Sequence, residues 1–569
     1  MSSNNSHHQR DNNGDHNNKQ QTHVHDVNDI NLALDANSMQ GLTPKSEDAT
    51  KQSRTDRAPL TGQLHQLLRD FSLRTTAHGW GRVGAAPSKT VKVLWFSVTL
   101  VALVLSGIHI SLLTAHYLSF TSEVKWQVSV DEIVFPSVSL CNIQPMSIIA
   151  AEQLMTNTSS QFYKWYNITR YLKQLSWPHF DDEQRRSMQA MLGRLQQPIG
   201  YYENIGDESL LVGHQSHDFI LGCTFSQTAC AHSNFTLFQN AQYFNCYTFH
   251  GGSRTDVNAI STMSGPHQGL SLVLYLENDN GNNVFDGTYH TTSNIGNAAG
   301  VRVIVHKPQT RPSPMDQGLD VPPGFTANLG LTRTNFVRLN NPHGDCVEPN
   351  TRTSYDFQYS AHDCILTCQQ EYVLERCGCI SSLLPHHTPN QTNNFCAQWL
   401  DTEPEMNLTS FMAQTRCERD ALRSYDESGL YGACACYPPC TENAYTSELS
   451  LSAWPLAFAQ SSFFDAYVRS HPHAAELKAH QSLARFNDST LIERGLIHKN
   501  FARVNVYLQS MTVEEYVQLP GYERANLLSD IGGTLGLWIG MSIITWCEVT
   551  ELLCLLLYKM CRQLSARFQ

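Results

Sequence analysis

Two carboxylates stand where apolar residues dominate: Glu548 and Glu551 are the only charges between Ile531 and Tyr558. Ionisable groups facing lipid are costly, so a pair kept at membrane depth points to work on a cation, drawing it to a pore mouth. The plainer reading is a frayed, interfacial helix end. On a straight helix Asp530 lies five turns, roughly 27 Å, before Glu548 on the same face. Those two would mark the outer and inner mouths, a phase relation that a break near Gly540 would undo. Gly533, Gly536 and Gly540 offer small surfaces for close helix packing, which also narrows a pore. Catalytic chemistry has no comparable signal. The chain lacks His-Glu-x-x-His, Gly-x-Ser-x-Gly and phosphate-loop motifs, so no enzyme, cofactor or resident metal is expected. A formal charge of −12, from 39 basic and 51 acidic residues, argues against a nucleic-acid partner.

The elements that must position these groups are membrane helices. No Asp, Glu, Lys or Arg occurs between Lys92 and Glu123, and the apolar run there exceeds the ~20 residues a bilayer requires. It is too long and too far from the start for a cleaved signal peptide, so it reads as a retained anchor. Arg69, Arg74, Arg82, Lys89 and Lys92 precede this span, and Lys559, Arg562 and Arg567 follow the second. Short basic flanks stay in the cytosol, which puts both termini inside and everything between the spans outside. The loop carries sequons at Asn157, Asn167, Asn234, Asn390, Asn407 and Asn487. Of 17 cysteines, 14 lie between Cys141 and Cys440, and an even set among sequons reads as disulfides in an oxidising compartment.

These signals divide the chain into a cytosolic tail (1–60), a pre-membrane segment (61–91), a first span (92–118), an extracellular domain (119–526), a second span (527–558) and a short cytosolic end (559–569). The tail is rich in Asn, His, Gln and Ser and lacks apolar periodicity, so it cannot offset the entropy of ordering. Its His7, His8, His16, His23 and His25 are potential metal ligands, with composition bias as the plainer reading. Leu64, Leu67, Leu68 and Phe71 are spaced for a helix leading to Thr75-Thr-Ala-His-Gly79. Outside, 145–200, 363–374 and 456–485 read as helical. Strands are expected at 128–135, 270–276, 301–305 and 503–508, giving an α+β domain.

Several of these residues together resemble the degenerin/epithelial sodium channel family. Phe135-Pro-Ser-Val-Ser-Leu-Cys141-Asn142 resembles its signature after the first span, and His78-Gly79 its pre-membrane pair. Leu527-Leu-Ser-Asp-Ile-Gly-Gly533 followed by Gly536-Leu-Trp-Ile-Gly540-Met541-Ser542 resembles its second-span signature. The resemblance implies a homotrimer in the plasma membrane with two transmembrane helices per subunit. The ectodomain would comprise a palm β-sheet, thumb, finger, knuckle and β-ball, with a disulfide-laddered thumb at 346–440. It implies Cys141–Cys246, Cys223–Cys230, Cys346–Cys440, Cys364–Cys436, Cys368–Cys434, Cys377–Cys417 and Cys379–Cys396. Independently, Cys364 and Cys368 share one helical face and could both reach a strand bearing Cys434 and Cys436. It also implies Gly540, Met541 and Ser542 as the sodium filter, Ser529 as the small residue outside it, and a gating role for His78 and Gly79.

Within the family, Pro342-His343-Gly344 departs from the Pro-Trp-Gly of proton-gated members, questioning a thumb contact with Tyr117, and the paired histidines those members carry after the first span are absent. No furin site interrupts the finger. Ala453-Trp454-Pro455 and Cys141-Asn-Ile-Gln-Pro-Met-Ser147 are similar to the peptide-gated and epithelial branches, and the best fit is the invertebrate FMRFamide-gated channels. The expected function is a sodium channel, amiloride-sensitive and opened by an extracellular amidated neuropeptide; the alternative is a proton-gated or constitutively open member. A cationic, aromatic peptide needs acids and aromatic walls, as Phe162, Trp165, Phe180, Asp181 and Asp182 supply.

Overall fold

In a computed structural model, residues 60–567 are described apart from 131–132, 175–188, 190–192, 196, 250–259, 262, 281–297, 349–350, 352–356, 387–393, 399–407 and 428–433. The chain forms two compact units, Gly107–Thr534 and Met1–Ser106 with Leu535–Gln569.

The larger unit is built on a seven-stranded sheet. Its axis is the 20-residue strand Phe501–Pro520, which pairs in parallel with Phe325–Val337 and antiparallel with Leu270–Tyr275. Thr441–Ala453 extends one side, and Ile220–Phe225 with Thr228–Ala229 the other. Ser122–Val130 covers the far end of the axis, from Ser122 opposite Pro520 to Val130 opposite Thr512. Alternation explains the pleat: Ala327, Leu329 and Leu331 on one strand meet Leu270, Leu272, Leu274, Ala502, Val504 and Val506 in one buried cluster. Each of the leucines and valines contributes about 1.5–3 kcal/mol on burial. A second sheet of five strands runs Leu319–Val321, Val301–His306, Ser137–Asn142, Phe244–Phe249, Phe235–Asn240. Cys141 faces Cys246 across it and is bonded to it.

The helix Ala361–Cys377 starts where Ser360 Oγ accepts the Asp363 N–H at 3.1 Å and stops at left-handed Gly378. One turn apart on it, Cys364 and Cys368 are bonded to Cys436 and Cys434. Cys346–Cys440, Cys377–Cys417, Cys379–Cys396 and Cys223–Cys230 complete seven disulfides, while Cys547, Cys554 and Cys561 are free.

Element lengths differ from the sequence expectations where tertiary pairing decides them. The strand expected over 503–508 continues to Pro520 because two partners hold it. The helical stretch 145–200 is divided into Ile148–Thr156, Gln161–Gln174 and Pro198–Ile205, and 456–485 into short turns such as Gln460–Phe464 and Lys478–Leu483. Lys89–Leu118 is long and apolar enough to cross a membrane. The second apolar segment is not one helix: Arg524–Ile539 and Ile543–Arg567 are separate, bent by 77° at the break. The five-turn phase between Asp530 and Glu548 therefore does not hold.

Candidate functional site

The break is made by Gly540. Its φ of +66° is left-handed, and its N–H donates to Gly536 O at 3.1 Å, which closes the first helix with an αL cap. Met541 N–H donates to Leu535 O at 3.2 Å. Ser542 opens the next helix: its carbonyl accepts Trp546 N–H at 3.2 Å, and its own N–H donates to Thr545 Oγ1 at 3.1 Å. A helix end leaves its last carbonyls without helical partners, so the break frees backbone oxygens just before the tripeptide.

One of those oxygens is taken by the segment before the first span. The helices Leu60–Arg74 and Trp80–Ala85 flank the turn Thr75–Gly79, and His78 N–H donates to Ile539 O at 3.0 Å. Gly79, at φ +94°, leaves no room for a side chain: a Cβ would fall 2.5 Å from Thr99 Oγ1, itself donating to Trp95 O at 2.8 Å. A Cβ on Gly540 would fall on the His78 ring. Further along, Glu548 accepts Thr76 N–H at 2.9 Å and Thr75 Oγ1–H at 3.0 Å, and Thr76 Oγ1 meets buried Thr545 Oγ1 at 2.8 Å. Glu551 lies exposed. The structure thus brings His78, Gly79, Gly540, Met541, Ser542 and Glu548 into one arrangement. Thr75, Thr76 and Thr545 pin it; sequence reasoning gave them no role, though two of them lie within three residues of His78.

In the larger unit, Ser529 is exposed and Asp530 Oδ2 accepts the Tyr522 hydroxyl at 2.5 Å. That hydrogen bond pushes the Tyr522 pKa up to about 12. Tyr522 also lies 5.0 Å from the His116 ring and 6.5 Å from Tyr117. His343 does not engage Tyr117 directly. Its ring stands edge-on to Phe120 at 5.4 Å, with Nδ1 3.3 Å from Phe120 O, and Phe120 in turn packs on Tyr117.

The peptide-binding expectation fails for two residues. Phe162 and Trp165 are 0% and 2% exposed, packed in a core with Leu195, Tyr201 and Phe244, so neither offers an open wall. Phe180, Asp181 and Asp182 lie outside the described residues, as do Asn390 and Asn407. Asn157, Asn167, Asn234 and Asn487 are exposed.

Two buried polar groupings had no sequence signal, because their members are distant along the chain. Arg194 bridges fully buried Glu203 and Glu418 at 2.8 and 2.6 Å, and Ser382 and Ser381 donate to the same carboxylates. Glu277 Oε1 accepts Ile149 N–H at 2.9 Å while Oε2 lies 3.7 Å from His214 Nδ1. Burial pushes Glu277 up to about 7 and pulls His214 down to about 3, leaving the imidazole neutral.

The chain thus combines a disulfide-rich, β-rich domain with a helix long and apolar enough to cross a membrane and a second apolar segment broken by a glycine. The amiloride-sensitive sodium channel family matches residues 71–552. The FMRFamide-activated amiloride-sensitive sodium channel of Cornu aspersum is 32% identical over 541 residues, covering 85% of this chain and 82% of that one. Degenerin-like protein asic-2 of Caenorhabditis elegans and acid-sensing ion channel 2 of Homo sapiens are each 25% identical, over 86% and 87% of this chain and 87% of each relative. This chain belongs to the amiloride-sensitive sodium channel family.

Proposed function

We propose that the chain is a subunit of a trimeric plasma-membrane sodium channel, opened from outside by a short FMRFamide-like peptide, with Gly540-Met541-Ser542 as the selective constriction. The observation that carries this reading is the left-handed break at Gly540. Sodium is a small, hard cation that favours oxygen ligands, and a spanning helix offers free carbonyls only where its hydrogen bonds stop. Glycine lowers the cost of that stop and lets neighbouring chains approach. Met541 contributes its carbonyl, and Ser542 either caps the following helix or faces the ion. Glu548 is engaged by Thr75 and Thr76 and so acts on the ion through the position of the pre-membrane segment, while Glu551 and Asp530 attract cations. Both termini are cytosolic, from the basic flanks. Peptide gating is supported by the likeness to the FMRFamide-activated channel of Cornu aspersum and by the lack of paired histidines after Tyr117.

The test is a two-electrode recording of the expressed chain, with an amidated Arg-Phe peptide and then with acid, in mixed sodium and potassium. The expected result is a peptide-evoked, sodium-selective, amiloride-blocked current. Acid-evoked current without a peptide response would replace the agonist and leave the constriction standing. Ser529→Phe, which adds bulk where helices must close, is expected to give steady current.

A further inference from the structure

We propose that Glu277 and His214 form a buried site for one exchangeable proton, and that this proton holds the segment 144–149 against the end of the strand Leu270–Tyr275, so that extracellular pH tunes the channel. The tuning rests on the channel reading above; the proton site does not. The surroundings of the imidazole carry the argument. His214 Nε2 lies 2.8 Å from Gln144 O, and a carbonyl only accepts, so Nε2 carries the hydrogen. In the neutral ring Nδ1 is then a bare acceptor, and it faces Glu277 Oε2 at 3.7 Å. That oxygen is buried and has no hydrogen-bond partner among the described residues. Two acceptors thus face each other out of water, an arrangement that repels unless a proton lies between them. With Oε2 protonated, closing the gap to ordinary hydrogen-bond length satisfies both atoms.

Both partners are held at this encounter. The His214 carbonyl accepts the Tyr247 hydroxyl at 2.7 Å and Asn245 Nδ2–H at 3.3 Å. Glu277 Oε1 accepts Ile149 N–H at 2.9 Å in the first turn of the helix Ile148–Thr156, and Ser147 N–H donates to Val212 O at 2.8 Å beside it. One carboxyl therefore joins a strand end, a helix start and the segment that carries His214.

The charged and titratable groups facing the pair are Lys478, Asp218 with its neighbour His217, Tyr275 and Asp279. Burial pushes the Glu277 carboxyl up to about 7, Asp218 adds to the rise, and Ile149 N–H, Lys478 and the Ser147 hydroxyl oppose it. Burial and Lys478 pull the imidazole down to about 3, so the proton resides on the glutamate. The protein carries this proton at rest and releases it above neutrality, the reverse of a group that waits for acid. Release leaves a buried charge against a bare nitrogen, and relieving that contact draws the carboxylate off Ile149 and loosens the helix start.

The test is an infrared difference spectrum of the purified full-length protein between about pH 6 and pH 8, a unit either side of the carboxyl's value, beside peptide dose–response curves at the same two pH values. Glu277→Gln keeps the shape and imitates the protonated state, its amide donating to Nδ1 at any pH. The expected result is a protonated-carboxyl band that the parent loses on going to the higher pH and that is missing from the Glu277→Gln difference. The midpoint peptide concentration is expected to shift by about fivefold or more in the parent, the lower end of ordinary linkage between two sites, and to stay fixed in the variant. A parent spectrum without a titrating carboxyl band, a band that persists in Glu277→Gln, or the same pH dependence of the peptide response in both chains overturns the proposal; the first of these needs no variant to fold. A chain that passes no current sinks the channel reading and leaves the spectra to decide the proton site.

Discussion

Replacing Gly540 by alanine probes the broken helix most directly, because two independent costs fall on one methyl group. The backbone at φ +66° costs an L-residue about 1–2 kcal/mol. The added Cβ also lands on the His78 imidazole, so the turn Thr75–Gly79 must withdraw. Withdrawal gives up the His78 N–H to Ile539 O bond, about 1 kcal/mol, and strains the bonds from Thr75 and Thr76 to the Glu548 carboxylate, about 1.5–3 kcal/mol if lost. A perturbation of about 2–4 kcal/mol follows. A tenfold change in relative permeability is about 1.4 kcal/mol, or about 60 mV of reversal potential. If about 1 kcal/mol of that cost falls on the constriction itself, Gly540→Ala moves the reversal potential in mixed sodium and potassium by tens of millivolts. His78→Ala removes the ring that the new methyl would strike. In that background the cost of Gly540→Ala should fall to the backbone portion alone, a coupling that a double-mutant cycle reads directly. An unchanged sodium preference in Gly540→Ala, or strict additivity with His78→Ala, would refute the reasoning.

Glu548→Gln removes the charge from two hydrogen bonds and is expected to weaken the hold on Thr75 and Thr76 by about 1–2 kcal/mol, seen as altered opening kinetics that Thr75→Ala does not add to. Glu277→Gln tests the buried carboxyl. Its folded pKa of about 7 lies above the ordinary value, so the folded state binds the extra proton and this group's stabilisation is lost as pH rises through about 7. Glutamine should flatten the unfolding free energy between about pH 5 and 7 and stabilise the protein at pH 8 by up to about 3 kcal/mol, measured by denaturant unfolding. Arg194→Met strands two buried carboxylates and is expected to cost about 3–5 kcal/mol, appearing as loss of the mature protein from the cell surface; near-normal surface levels would argue against the network's importance.

How far the sequence reaches can be seen by comparing residues that look alike on paper. Leu270–Leu276 and Val301–Val305 are legible as strands because an uninterrupted β-branched and aliphatic run suits few other places than a covered sheet. The spacing of Cys364 and Cys368 is legible because a helix puts such residues on one face, opposite alternate cysteines of an extended segment. Phe162 and Trp165 are not, because an aromatic helix face looks the same whether it meets a ligand or, as here, Leu195 and Tyr201. Nor does the composition of 531–558 distinguish a straight helix from a broken one. Gly532, Gly533, Gly536 and Gly540 are equally able to turn left-handed, yet among them only Gly540 does so. The deciding partner, His78, lies far away along the chain.

That dependence carries the physical argument for treating the tripeptide and the pre-membrane turn as one device. A helix interrupted within a bilayer exposes carbonyls that lipid cannot satisfy, at several kcal/mol each. Gly540 and Met541 N–H groups return to Gly536 and Leu535, Ser542 restarts the helix, and His78 takes Ile539 O. On the proposed reading, oxygens beyond these are open to a passing cation. The turn can lie this close only because Gly79 has no side chain to strike Thr99 and Gly540 none to strike His78. Enlarging either glycine therefore displaces the same loop, and withdrawing the loop leaves Ile539 O bare beside the ion path. On the proposed reading, selectivity and opening share that carbonyl, so substitutions at residue 79 should alter ion preference as well as kinetics. A Gly79→Ala channel with slowed opening but wild-type reversal potential would separate the two functions and show that the turn gates without shaping the constriction.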